Sequence, residues 1–206
     1  MGVREAIANL FSRVTGGGKG NVARMFPLWE QQSPQYPLPS PHVLMEYYRT
    51  DDLCYACISA RADAISEAPL LTYDHARKTK RTELEGHWLT ELMARPNPFL
   101  SGEQFLRITS TYKDIAGFSA WEIEMNNLGR PLALWPMNPL YCSFMRGADT
   151  PLAFIRYQPY GMDMTDVPIA RCVVFMDFDP LYPQLKGLAR TAVALKALSV
   201  SLRSTD

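Results

Sequence analysis

Along the first fourteen positions, Val3, Ala6, Ile7, Leu10, Phe11 and Val14 recur at helical spacing with Arg4, Glu5, Asn9 and Arg13 between them. That periodicity predicts an amphipathic helix over residues 2–14. The pattern then breaks. Gly16-Gly17-Gly18-Lys19-Gly20 ends the helix, and residues 27–41 carry Pro27, Pro34, Pro37, Pro39 and Pro41 among Gln and Ser, which predicts an extended arm. Phe26, Trp29 and Tyr36 lie on or beside that arm, and rings of that size are costly to leave in water. The arm is therefore expected to lie against a neighbouring surface. From Val43 to Ala68 the period is helical again, interrupted at Thr50-Asp51-Asp52, where either carboxylate caps a new helix. After Pro69, Leu70 to Tyr73 reads as a short strand and residues 74–86 as a solvated hairpin or loop of mixed charge. His87 to Ala94 reads as a short helix stopped by Arg95-Pro96-Asn97-Pro98. Ser101-Gly102-Glu103-Gln104 fits a capping box and opens a helix with Phe105, Ile108, Tyr112 and Ile115 on one stripe, ending at Gly117.

Beyond Gly117 the period changes to two, with Trp121, Ile123 and Met125 alternating against Glu122, Glu124 and Asn126. Further strands are expected at Leu132 to Trp135, Tyr141 to Met145, Leu152 to Tyr157 and Cys172 to Phe175, separated by Pro136, Pro139, Gly147 and Gly161. An antiparallel meander is the economical arrangement. After Asp179-Pro180 a helix is expected from about Leu188 to Leu202. The fold class that follows is α+β, with helices from 43 to 116 packed against an antiparallel sheet from 118 to 176. Phe105, Trp121 and Trp88 are the expected core anchors.

Composition narrows the function. Lys plus Arg equal Asp plus Glu at 21 each in a chain of 206 residues, so no global field draws it to nucleic acid or to an anionic membrane. No run approaches the roughly 18 apolar residues of a membrane-spanning helix, and Glu5 and Asn9 stand where a signal peptide needs an apolar block. The protein is expected to be cytosolic where it is made, with its four cysteines reduced.

Candidate chemistry is sparse. Thr15 to Asn21, "TGGGKGN", contains glycines and a lysine but lacks the preceding strand and the spacing of a phosphate-binding loop. Asp177 and Asp179 flank Phe178 and offer two carboxylates to a divalent metal, as in a metal-dependent nuclease, although Asp179-Pro180 also reads as a turn. His42, His75 and His87 are scattered without metal-site spacing, and no serine occupies a nucleophile elbow. Arg77, Lys78, Lys80 and Arg81 form the densest positive cluster, diluted by Asp74, Glu83 and Glu85. Cys54 and Cys57 have the spacing of a redox or zinc pair near a helix start. Asp51 and Asp52 precede them, and nearby negative charge makes a thiol harder to ionise. No second pair exists, and Leu53, Cys57, Ala60 and Ala64, with Cys54, Ile58, Arg61 and Ile65 alongside, read as a small-residue packing helix. No catalytic, cofactor-binding or metal-ligating residue is assigned.

Four segments, in order, resemble the N-terminal half of tailed-bacteriophage portal proteins. "CYACISARADAISEAPLLTY", Cys54 to Tyr73, is similar to the family's helix of small residues running into a Pro-Leu strand. "HWLTELMARPNPFLSGEQFL", His87 to Leu106, resembles its most recognisable segment, with Leu92, Pro96-Asn97-Pro98 and Phe105 in place. "DIAGFSAWEIEMNNLGRPLALWPMNP", Asp114 to Pro139, is similar to a Gly-Asn-Ala-Tyr strand, with Phe118 for the Asn and Trp121 for the Tyr. "VPIARCVVFMDFDPLYPQLKGLARTAVALKAL", Val167 to Leu198, resembles the strand, Asp-Pro turn and Gly-led helix, with Gly187-Leu188-Ala189-Arg190 departing from Gly-x-Ser-Pro.

The resemblance implies a non-enzymatic wing-type body in a homo-oligomeric ring, usually a dodecamer, at the capsid vertex of a virion assembled in the host cytoplasm. It implies as partners the major capsid protein, the terminase large subunit, a head-tail adaptor and double-stranded DNA passing non-specifically through the channel, with no cofactor and no membrane. Family members usually continue into stem, clip and crown, so the apolar helix from Leu188 is expected to lead toward absent elements. The expected organisation is an N-terminal helix and Gly-rich linker over 1–20, an extended arm over 21–42, and the body over 43–206, incomplete at its C-terminus.

Overall fold

The computed structural model describes residues 39–74, 82–84, 86–147, 150, 152–180 and 187–195. The helix expected over 2–14, the Gly-rich linker and all of the arm before residue 39 lie outside them, as do His75, the cluster Arg77, Lys78, Lys80 and Arg81, and residues 196–206. Helix α1, Pro41–Thr50, starts two residues before the expected boundary. Ser40 caps it by accepting from Val43 N–H, and Pro41 occupies the first turn, where its missing donor costs nothing. Asp51 then ends α1 and caps α2, Asp52–Ser66, by accepting from Cys54 N–H at 2.6 Å. The break expected at Thr50-Asp51-Asp52 is thus one carboxylate serving one helix start.

The strand expected over 70–73 shrinks to β1, Tyr73–Asp74, paired antiparallel with β2, Thr82–Glu83. Helix α3, Trp88–Ala94, is capped by His87 Nδ1, which accepts from Leu89 N–H. Helix α4, Gly102–Ala116, carries the expected capping box between Ser101 and Gln104 and ends at Gly117 with φ +80. A left-handed residue at that position is what glycine supplies without a Cβ penalty.

Strands β3, Phe118–Met125, β4, Pro131–Met137, β5, Cys142–Met145, β6, Phe154–Tyr157, β7, Thr165–Pro168, and β8, Cys172–Met176, follow. The single meander expected over 118–176 is corrected to two three-stranded antiparallel sheets, β4-β3-β8 and β5-β6-β7. Strand β8 crosses back to lie beside β3, pairing Trp121 with Val173 and Phe118 with Met176. Strand β7 was not expected: Val167 is its one buried residue, and an edge strand of Thr165, Asp166 and Pro168 has little apolar signal. Arg156 on β6 holds it through a two-point bond to Asp166.

The layers explain the burial. On one face of the first sheet Trp121 and Leu134 pack with Phe105 of α4, the Phe105 and Trp121 rings 4.6 Å apart. On the other face Ala120 and Met137 meet Ile155 and Val167 of the second sheet. Because both faces are covered, Phe118 to Trp121 are all buried and the period of two is erased there. A third cluster, Leu44, Ile58, Ile115, Ala189 and Ala192, joins α1, α2 and α4 to the segment 187–195, of which residues 190–195 form a helix, α5.

Phe105 and Trp121 are buried as expected, at 0% and 7% exposure, and the Trp121 indole N–H donates to Thr109 Oγ1 at 2.9 Å. Trp88 is not a core anchor: it is 52% exposed. Of the seven residues of α3 none is buried, because Leu92 and Met93 are enough to seat the helix on Phe105.

Candidate functional site

Five charged side chains converge where α5 leaves the body. Lys113 and Asp114 come from the last turn of α4, Asp177 follows β8, Arg61 lies on α2 and Arg190 opens α5. Asp114 is almost fully buried at 4% side-chain exposure, with Arg190 Nη1 at 3.2 Å and Arg61 Nε at 3.5 Å. Lys113 Nζ lies 2.6 Å from Asp177 Oδ1 and Arg190 Nε lies 3.1 Å from Asp177 Oδ2. That second approach is an ion pair without hydrogen-bond alignment, since Asp177 Oδ2 accepts no hydrogen bond despite its burial. Burial holds the Asp114 carboxyl above its ordinary range, Arg61 opposes that rise, and Asp177 adds to it.

The backbone beneath the charges is equally tight. Asp177 N–H donates to Gly117 carbonyl at 2.9 Å, and Thr191 Oγ1 donates to Asp114 carbonyl at 3.0 Å. Gly117 and Gly187 approach so closely that a Cβ on either would overlap the backbone of the other. Beside this junction a groove of about 440 Å³ runs between α2 and α5, lined by Tyr47, Leu53, Cys54, Cys57, Ile58 and Ala194, with Arg61, Asp114, Arg190 and Thr191 at the charged end.

Each sequence candidate now has a place. Asp177 faces the ammonium of Lys113 and the guanidinium of Arg190, so its carboxylate already has cationic partners from the chain itself. Lys113 is far from Asp177 along the chain, so their pairing leaves no local signal in the sequence. Asp179 is buried. Among the described residues no group of three or more His, Cys, Asp or Glu side chains converges to hold a metal.

Cys57 is exposed, and the Cys54 thiol is pushed up by burial and by the Asp51 carboxylate that caps its helix. The helical stripe drawn through Leu53, Cys57, Ala60 and Ala64 faces outward. The buried face of α2 is Ile58 and Ala62, with Cys54 packed against the same cluster. Burial also pushes Cys142 up to about 12 and Cys172 up to about 11. His42 is exposed, and His87 caps α3.

Arg61, Lys113, Asp114 and Arg190 are the residues that sequence reasoning missed. Their meeting depends on three elements folding together, and only Gly117 and Gly187, flagged as a helix stop and a helix lead, signalled the close approach. Asn97 is a second such residue. Its amide donates to Leu134 carbonyl at 2.9 Å while its oxygen accepts from Phe99 and Leu100 N–H, both at 3.0 Å, so it ties the Pro-Asn-Pro turn to β4.

The elements define an α+β body with a cluster of ion pairs where α4, the end of β8 and α5 meet. The chain belongs to the phage portal protein family, whose family model matches residues 53–206. The fold is similar to three solved structures. One is the neck of an empty GTA particle computed with C6 symmetry, at 19% identity, TM-score 0.66 and 76% of this chain. Another is the virion of a native gene transfer agent (GTA) particle, at 17% identity, TM-score 0.64 and 78% of this chain. A third is the neck of a native GTA particle computed with C12 symmetry, at 16% identity, TM-score 0.63 and 84% of this chain. The matches cover 43%, 41% and 46% of those chains, so this chain spans under half of their length. No curated protein compared with the chain matches it.

Proposed function

We propose that the chain is the wing-type body of a portal protein. Twelve copies form a ring at one capsid vertex, double-stranded DNA passes non-specifically through the channel, and the tail connects there through a head-tail adaptor. The major capsid protein surrounds the ring, and the terminase large subunit docks on it and supplies the ATPase, so the portal itself works by geometry and repetition rather than through a reacting group. It is assembled in the host cytoplasm and carried in the virion. The observation that carries this reading is the family match over residues 53–206. The likeness to neck structures computed with C6 and C12 symmetry supports a twelvefold ring, with which both symmetries are compatible.

In this reading the clamp of Asp114, Asp177, Lys113, Arg61 and Arg190 sets the angle at which α5 leaves the wing toward the rest of the protein. The domain organisation proposed is an N-terminal helix and linker over 1–20, an arm over 21–42 that reaches a neighbouring subunit or the capsid, and the body over 43–206. Direct imaging of particles formed by the full-length protein tests the function. A ring with a central channel is expected, and a uniform population of single subunits under all assembly conditions refutes it. Deleting residues 1–41 is expected to reduce ring assembly or capsid incorporation, and unchanged values of both refute the role given to the arm.

A further inference from the structure

Helix α3 has five apolar residues among its seven and buries none of them completely. Trp88 and Leu89 are exposed and are not among the residues packed with Leu92 and Met93 against the Phe105 cluster. The Thr72–Thr90 contact brings the segment before β1 against α3, and six large apolar side chains on the joined segments, Leu70, Leu71, Tyr73, Leu84, Trp88 and Leu89, are between 37% and 52% exposed. The patch is held together. Thr72 and Thr90 share a hydroxyl–hydroxyl hydrogen bond of 2.6 Å, Leu84 N–H donates to Thr72 carbonyl at 2.8 Å, and the His87 and Trp88 rings lie 5.5 Å apart. Apolar side chains fixed around a rigid framework and left in water mark an interaction surface.

Aromatic rings beside shallow apolar ground are the surface that receives proline-rich chain, because an extended proline segment loses little entropy on docking. Such a segment stands in this sequence: residues 27–38 hold Pro27, Pro34 and Pro37 with Trp29 and Tyr36, and Glu30 is their one charged residue. Little charge therefore has to leave water on contact. At about 3.1 Å per residue, these twelve positions reach about 37 Å. That is close to the roughly 40 Å diameter of a compact body of this size, so a segment extended from residue 39 would be long enough to reach beyond the body that carries it.

We propose that the patch formed by Leu70, Leu71, Tyr73, His87, Trp88 and Leu89 is the docking site for the proline-rich arm, residues 27–38, of an adjacent copy of this chain. The proposal rests on the ring reading for the presence of an adjacent copy. Docking closes each subunit onto its neighbour through a strap that the body itself does not supply.

The test places a photo-cross-linker at the patch, Leu71→p-benzoylphenylalanine, in full-length protein mixed from nitrogen-14 and nitrogen-15 copies before assembly. Mass spectrometry then identifies the linked peptide and the isotope of each half. Mixed-isotope pairs between position 71 and residues 27–38 are expected. Same-isotope pairs alone, links to residues 1–20, links to another copy's body, or no link at all overturn the proposal. Trp88→Ser alters a half-exposed position and leaves Phe105 and Trp121 in place, and it is expected to lower the mixed-isotope yield roughly tenfold. An unchanged yield also overturns it. The assay reads whatever assembly the protein forms, so imaging that shows no ring refutes the portal reading while the isotope pattern still decides the arm.

Discussion

Gly117→Ala separates the two costs that a glycine can hide. Gly117 has φ +80 and faces the Gly187 carbonyl and, at 2.8 Å from an added Cβ, Ala189 N. Gly129, in the β3–β4 turn, has φ +72 with nothing within 4 Å of the same Cβ. Alanine in the left-handed region costs about 1 kcal/mol at either site. At Gly117 the methyl must also displace backbone of the segment 187–189, an overpacking cost of about 2 kcal/mol. The totals are about 3 kcal/mol at Gly117 and about 1 kcal/mol at Gly129. For a body of this size each kcal/mol lowers Tm by about 2–4 °C, so drops of about 6–12 °C and about 2–4 °C are expected. Differential scanning calorimetry reads both, and hydrogen exchange at residues 189–195 should rise for Gly117→Ala alone. Equal Tm shifts for the two variants would refute the close approach of Gly117 to Gly187 and with it the fixed departure of α5.

Three further outcomes follow from the geometry. Asn97→Ala removes three hydrogen bonds and strands buried Leu134 carbonyl and two N–H groups, so a loss of about 2–4 kcal/mol is expected in urea unfolding, and a loss below about 1 kcal/mol would contradict the tie to β4. Asp114 has its folded pKa raised above the unfolded value, so its contribution is fully present below the unfolded pKa and is lost as pH rises through the folded pKa. Asp114→Asn is expected to flatten that part of the stability–pH profile, and an unchanged slope above pH 4 would count against a buried carboxyl there. Thiol labelling at pH 8 should modify exposed Cys57 first and Cys54 more slowly, while Cys142, with a pKa of about 12, holds roughly one thiolate in ten thousand. Peptide mapping that finds Cys142 labelled as fast as Cys57 would overturn the burial of the β5 thiol.

Helix limits were legible because their signals are local. Ser101 and Gln104 cap α4 across three residues, Gly117 stops it, and Asp51 sits one residue before the helix it caps. Phe105 and Trp121 were legible as core because each is a large ring without charge on its apolar stripe or strand face. Trp88 carried the same signal and lies outside, since periodicity states that a face is apolar and not which molecule covers it. The second sheet was lost for a similar reason: β8 pairs with β3 rather than β7, a choice made by long-range register that no window of alternating residues contains.

By itself the sequence determined the α+β class, the order of the elements, the absence of a strong global charge and, through four ordered segments, the resemblance to portal proteins. Those properties reside in neighbours along the chain, where capping, proline and period act over a few residues. Only the tertiary structure decided that the strands form two sheets, that Asp177 is neutralised by Lys113 and Arg190, and that Gly117 meets Gly187. Each of those depends on segments tens of residues apart being packed at once. Distance in space sets electrostatics and steric contact, and the order of residues encodes that distance only through the whole fold.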